Sequence, residues 1–437
     1  MNNNLDQFRD KGANIGEPGR PAGGLAGWSR KAFVSFKNPV YRLYYFSNVG
    51  HWSAMNMQML ARNLLAFRIT GSGAVLGVLA LASAIPMIIL ALPGGVIADR
   101  IQKKTVIQIC QIASMIVSLA VTLALVFKYL SPENPESWWV LVVSAVLQGT
   151  IMGFLMPSRL AIISEIVVPE HLMNAISLNN LGMNVFRIVS PALAGFLVDI
   201  VDFWAVYAII TAMTVMSWVF ILLVPPTREQ TIAGGGNSLT DVLEGWRYIR
   251  SEKTIMFVLF FTVIATILGM PYTQLLPMFT EDPNILNMGS GTGIGVLMMV
   301  SGIGAMIGSL ILASLSNRKR GLIMLGAALL MSVALVSFSF SKIWYLSLFL
   351  IIFIGLGSSG QMALGNSLIQ YYSDAAYRGR VMSFFMLGFG FSSLGAFFAG
   401  LLAEGVGVQW AVGSLAILLV IITVFALTFV PRLRKLD

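Results

Sequence analysis

Runs of apolar residues, each near the length that crosses a bilayer as a helix, dominate this 437-residue chain. Twelve of them are legible, at roughly 41–67, 74–98, 105–129, 138–163, 173–199, 204–224, 254–279, 291–315, 322–340, 344–371, 380–403 and 409–430. Only 11% of the residues are charged and 57% are hydrophobic, where a soluble domain carries about 25% charged residues. No soluble core absorbs that much apolar side chain. The runs are too long for barrel strands, so the expected fold is an all-α membrane protein with 12 transmembrane helices. Pro86, Pro93, Pro157, Pro191 and Pro271 interrupt runs, which neighbouring helices tolerate by re-satisfying the backbone.

Basic residues orient the chain. With both termini on one side, that side holds 22 of the 28 Lys and Arg residues. The opposite loops hold three, Arg68, Lys128 and Lys342, beside acids such as Asp199, Glu281 and Glu404. The positive-inside rule then puts both termini in the cytoplasm. The net charge of +9 is therefore a topology signal and a contact for anionic lipid of the bilayer, and no nucleic-acid partner is expected. Cys110 is the single cysteine, and His51 and His171 stand far apart, which leaves no disulfide and no zinc-type metal site. The polar start of the chain lacks the apolar core of a cleavable signal, and no cofactor motif is present. "GLGSSG" (355–360) lies inside an apolar run rather than between a strand and a helix, so a dinucleotide reading fails.

The runs divide into two sets of six. The expected domains are a disordered cytoplasmic tail 1–36, a six-helix half 37–224, a central loop 225–253, a second six-helix half 254–430 and a tail 431–437. In the central loop three glycines (234–236) make a flexible joint. Leu239, Val242, Leu243, Trp246 and Ile249 then recur at helical spacing, either on the membrane surface or as an ordinary linker helix. The halves are also similar to each other. Residues 174–199 align with 380–404 after a one-residue gap, pairing Ser177 with Ser383, Gly182 with Gly388, Gly195 with Gly400 and Asp199 with Glu404. Two parallel-related halves are a transporter architecture, with the site expected between them near mid-membrane.

The hairpin "GVIADRIQKK" (95–104) resembles the loop signature of the major facilitator superfamily, with Gly95, Asp99, Arg100, Lys103 and Lys104 matching. "PSRLAIISEIVVPEHLMNAISLNNL" (157–181) and "NSLIQYYSDAAYRGRVMSF" (366–384) resemble its efflux branch, which includes enterobactin-type siderophore exporters and macrolide-type drug exporters. The resemblance implies alternating access between the halves. It also implies that Asp99 binds the start of the eleventh run, near Gly379, Arg380 and Val381, to close the cytoplasmic side. The expected cytoplasmic gate is thus Gly95, Asp99, Arg100, Lys103, Lys104, Gly379 and Arg380. "SPALAG" (190–195) loosely resembles the superfamily's antiporter motif, which points to proton antiport.

Ionisable side chains inside the membrane mark function by default. Arg187 falls at the centre of its run; Arg159 and Arg62 lie nearer the ends and could snorkel; His51 is central. No acid lies near the centre of any run. A central positive charge without a central carboxylate suits an anionic or polar small-molecule substrate, siderophore-like, over a neutral or cationic macrolide-like drug. The expected cavity set is Arg187, His51, Arg159, Asn56, Gln148, Asn184, Gln361 and Asn366, and the candidates for proton coupling are His51 and Glu165. No catalytic constellation is present, so the chain is not expected to be an enzyme. A monomeric transport unit is expected. Two other readings stand beside the exporter: a lysolipid or lipid flippase of the same fold, and a non-transporting sensor or scaffold.

Overall fold

A computed structural model describes residues 33–226, 238–315, 319–374, 377–434 and 436. The tail 1–32, the glycines 234–236 and Lys435 lie outside the described residues, as do the side chains of Asp99 and Arg100. The described chain is nearly all helix: α1 (Pro39–Thr70), α2 (Gly73–Arg100), α3 (Lys103–Val126), α4 (Trp139–Ile166), α5 (Leu172–Ile200), α6 (Phe203–Leu223), α7 (Ser238–Ser251), α8 (Lys253–Gly269), α9 (Tyr272–Glu281), α10 (Gly291–Ser314), α11 (Arg320–Ser339), α12 (Trp344–Tyr372), α13 (Arg378–Phe429) and α14 (Pro431–Arg434). Ten helical stretches among the described residues are long and apolar enough to cross a membrane.

Three places differ from the simple count of twelve runs. α1 is long enough but too polar, because it carries Asn48, His51, Asn56, Gln58, Arg62 and Asn63, all buried. It lies inside the bundle, so protein rather than lipid shields these groups. The run 254–279 breaks at Met270–Pro271 into α8 and α9, since proline lacks the N–H and its ring obstructs the preceding turn. The last two runs are joined as the 52-residue α13, which turns at Gly407, where φ is 81°. A residue with a Cβ is strained in that conformation.

Local chemistry sets the helix ends. Asn38 accepts from the Val40 and Tyr41 N–H groups, with Pro39 at the first helical position of α1. Gly71, at φ 64°, closes α1, and the Ser72 hydroxyl then caps α2 through the Val75 N–H. Ser290 caps α10 in the same way through the Gly293 N–H, and the Asp202 carboxylate accepts from the Phe203 N–H at the start of α6.

The core shows how the helices are disposed. The side bearing the start of α1 and the end of α13 is the terminal side; the other is the far side. On the far side, one apolar core takes residues from both sets of helices, among them Leu60, Leu79 and Val206 before the central loop and Phe279, Leu297 and Ala403 after it. Toward the terminal side this core separates into two. One holds Tyr41, Ile107, Leu155 and Ala175; the other holds Ile249, Leu325, Leu368 and Val381. The two sets therefore meet on the far side and part on the terminal side.

The central-loop helix α7 docks on the second set. Ile249 is fully buried, Tyr248 stacks on Tyr377 at 4.4 Å, and Trp246 lies against Phe384. Glu244 pairs with Arg380 at 2.8 Å. Among the described apolar side chains of this helix Leu243 is exposed and Trp246 is partly so, which leaves both available to the membrane surface, while the side chains of Leu239 and Val242 lie outside the described residues.

Candidate functional site

The far-side closure is made of polar contacts between the two sets. Arg68 at the end of α1 pairs with Glu281 at the end of α9 at 2.9 Å. One turn deeper, the Asn63 amide donates to Gln274 Oε1 at 2.5 Å. Asp199 at the end of α5 accepts from the first two N–H groups of α10, Gly291 at 2.7 Å and Thr292 at 2.8 Å. Glu404 in α13 does the equivalent at the start of α2, accepting from the Ser72 hydroxyl and, at 3.3 Å, from the Ala74 N–H. A carboxylate at a helix N-terminus satisfies orphan donors and complements the helix dipole. Glycines allow both approaches: a Cβ on Gly195 would collide with the Gly291 carbonyl, and one on Gly400 with the Gly73 carbonyl.

Among the described residues the terminal side is open. A Cβ built on Gly95 or Gly379 would meet nothing within 4 Å. The face of α5 that packs on α10 through Ile188, Pro191 and Gly195 continues toward the terminal side as Ser177, Asn180, Asn184 and Arg187, all exposed. A second exposed stripe on α5 is apolar: Leu181, Val185, Val189, Leu193, Phe196 and Ile200. The apolar stripe suits lipid and the polar one a water-filled crevice between the two sets. Arg187 makes no hydrogen bond or ion pair with the described residues.

The remaining cavity candidates are dispersed. Asn56 spends its amide on the Trp52 carbonyl of its own helix at 2.8 Å. Gln148 accepts from Ser114, between α3 and α4. Asn366 accepts from Gln370 at 2.5 Å, one turn along α12. Gln361 is buried in α12 and its amide nitrogen has no partner among the described residues. His51 is buried with Nε2 unpartnered, near Arg159. Arg159 is inside the first set: Nη1 donates to Asn48 Oδ1, Nη2 donates to Ser217 Oγ at 3.1 Å, and its carbonyl accepts from the Tyr44 hydroxyl at 2.7 Å. Arg62 does not snorkel; it is 8% exposed, beside Tyr207. Arg187 and Asn184 are thus the members of the expected set that line the crevice, while Arg159 and His51 belong to a polar interior behind it.

Of the expected gate residues, Lys103, Lys104 and Arg380 have described partners within their own set. Lys103 meets Glu165 at 2.6 Å, both side chains nearly buried, but without hydrogen-bond alignment, so neither Glu165 oxygen has a hydrogen bond. Lys104 donates to the Leu222 carbonyl at 2.9 Å. These contacts hold the hairpin within the first set, and Arg380 is held by α7 in the second. Sequence reasoning missed Asp199 and Glu404 as a far-side closure, although the internal repeat had already paired them.

Two sets of membrane helices, closed together on one side and parted over a crevice on the other, are the architecture of a membrane transporter. The family model for the transmembrane secretion effectors, a branch of the major facilitator superfamily, matches residues 30–437, and the chain belongs to that family. It is similar to the staphyloferrin A transporter of Staphylococcus aureus, with 24% identity over 90% of this chain and 97% of that one. It is similar also to macrolide efflux protein A of Streptococcus pyogenes, with 23% identity over 88% and 96%. Among solved structures, the nucleoside transporter NupG superposes with a TM-score of 0.69 at 15% identity, over 90% of this chain and 100% of that one. The D-xylose–proton symporter gives 0.69 at 11% identity, over 90% and 98%; both likenesses concern the fold. The chain is a multi-pass plasma-membrane protein that moves small molecules.

Proposed function

We propose that the protein exports an anionic or polar small molecule by alternating access between two six-helix halves, with twelve spans and both termini in the cytoplasm. The terminal side is then the cytoplasmic side, and the structure is the inward-open state. The observation that carries the substrate class is Arg187: an exposed cation on a polar stripe of the crevice with no acid paired to it among the described residues. An unpaired charge at that depth is expensive unless water or a ligand anion faces it. The named relatives include a siderophore transporter and a macrolide efflux protein; the positive crevice favours a siderophore-like carboxylate or phenolate over a cationic drug. Closure of the cytoplasmic side would bring the Asp99 hairpin onto the open surface at Gly379.

Proton antiport supplies the driving force in this reading. Glu165, nearly buried against Lys103 at the cytoplasmic end of α4, is the better placed of the two coupling candidates, because His51 is enclosed within the first half. The test is a thermal-shift screen of the purified protein against metabolites and drugs sorted by charge, beside Arg187→Gln. A ligand that binds the native state raises its stability. Anions that stabilise the wild type and not the variant support the reading. Cations or neutral macrolides that stabilise both alike overturn it.

A further inference from the structure

The first set of helices contains a hydrogen-bond chain that runs in one direction. Arg159 is 5% exposed, and a guanidinium can only donate. It donates to the oxygen of the Asn48 side chain, itself 2% exposed. The Asn48 oxygen is thereby committed, and its amide nitrogen must point the other way. That nitrogen donates to Asn179 Oδ1 on α5 at 2.7 Å. The Asn179 oxygen is now committed in turn, and its own NH₂ group is the free end. Asn179 is half-buried on the face of α5 against α1, next in sequence to Asn180 of the polar stripe. Its nitrogen makes no hydrogen bond with the described residues. The buried cation therefore dictates the orientation of two amides and leaves a donor, the Asn179 NH₂ group, at the end of the chain. Each bond in such a chain polarises the next.

We propose that the Asn179 amide is a second recognition point for cargo, specific for an acceptor oxygen, and that it works with Arg187. This rests on the reading of Arg187 as the counter-charge for an anion. Eight residues separate the two on α5, a rise of about 12 Å. The substrate class is thereby narrowed: an extended molecule with an anionic group at Arg187 and a second carboxylate, phenolate or carbonyl oxygen on the order of 12 Å away. A compact monoanion reaches one point and not both.

The test uses the full-length protein in nanodiscs, with protein-free nanodiscs subtracted, and two probes: adipate, which is short, and dodecanedioate, which spans both points. Wild type should bind the long dicarboxylate about tenfold more tightly than the short one, the effect of one added charge-assisted hydrogen bond. Asn179→Asp keeps the acceptor for Asn48 but removes the donor and adds a repelling charge, and should abolish the length preference. Asn48→Asp is the sharper variant. It gives Arg159 a carboxylate, so the interior stays paired, and it obliges Asn179 to donate inward and turn its oxygen to the crevice. The preference should vanish there too. Arg187→Gln should weaken both probes alike. A length preference that survives in both Asn variants, or is absent from wild type, overturns the donor chain and leaves Arg187 standing. Unchanged binding of both probes in Arg187→Gln overturns instead the anionic-cargo reading.

Discussion

Asp199 bridges the first two backbone N–H groups of α10, one oxygen to Gly291 at 2.7 Å and the other to Thr292 at 2.8 Å. The internal repeat pairs Asp199 with Glu404, and Glu404 meets the start of α2 from the opposite set. Two related carboxylates thus latch two related helix starts, and both latches exist only while the far side is closed. Each supplies a cap and a charge–dipole interaction of about 1–2 kcal/mol. Removing one with Asp199→Ala or Glu404→Ala should raise the population of the far-side-open state roughly 5- to 30-fold. Asp199→Asn, which keeps one acceptor, should do less. Spin labels at the exposed loop positions Glu133 and Asn284 would report the shift as a longer distance component. An unchanged distance distribution in Asp199→Ala and Glu404→Ala would exclude the latches as determinants of the gate.

The same closure depends on backbone approach at Gly195, where a Cβ would strike the Gly291 carbonyl. Gly195→Ala should force α5 and α10 apart at about 1–3 kcal/mol, the usual penalty for overpacking. If the far side opens as the proposed alternating-access cycle requires, the strain should appear as a conformational shift rather than as unfolding. The variant should therefore keep its thermal stability in detergent while the label distance lengthens. A large loss of stability without a change in distance would falsify this account.

Much of the architecture was legible because depth in a membrane is written along the chain. The apolar runs, the break at Pro271 and the helix in the central loop all follow from period, length and proline chemistry. What could not be read is azimuth. Arg159 and Arg187 differ in the sequence only by depth, yet one donates into Asn48 and Ser217 and the other is exposed on the polar stripe. Asn56 and Asn184 are equally polar and equally central, but Asn56 is consumed by the carbonyl one turn back. Hydropathy is blind to such partners, which depend on which neighbour a given face meets. For Arg62 the depth was right and the freedom was not: Tyr207 and the body of α6 enclose it.

The Arg159 interior makes a stability prediction separate from cargo. Asn48→Ala leaves a buried guanidinium without its main acceptor, and should cost about 1–3 kcal/mol, the penalty of an unsatisfied buried donor or somewhat more for a charged one. Arg159→Lys should cost a similar amount, since a point ammonium cannot reach Asn48 and Ser217 together as the planar fork does. Both should appear as lower melting temperatures of the purified protein. If Arg159→Lys melts with the wild type, the forked geometry contributes nothing to stability.

The docking of α7 separates packing from charge at one interface. Glu244 and Arg380 form an ion pair with side chains 52% and 32% exposed, and such pairs contribute about 0–1 kcal/mol. Gly245 lies against the Arg380 stem and the Phe384 ring, 2.9 Å and 3.3 Å from where its Cβ would be. Glu244→Gln should therefore leave α7 in place, while Gly245→Leu should lift it from α13. Hydrogen exchange across 238–251 discriminates the two: protection close to wild type in the first variant, and lost in the second. α13 begins at Arg378, the segment that the Asp99 hairpin reaches in the proposed closure of the terminal side. Displacing α7 should therefore also change how fast that side closes, measured as the labelling rate of a cysteine introduced at Ser383, which is exposed in this state. Equal labelling rates in Gly245→Leu and wild type, with protection of 238–251 lost, would show that α7 packs on the gate segment without influencing it.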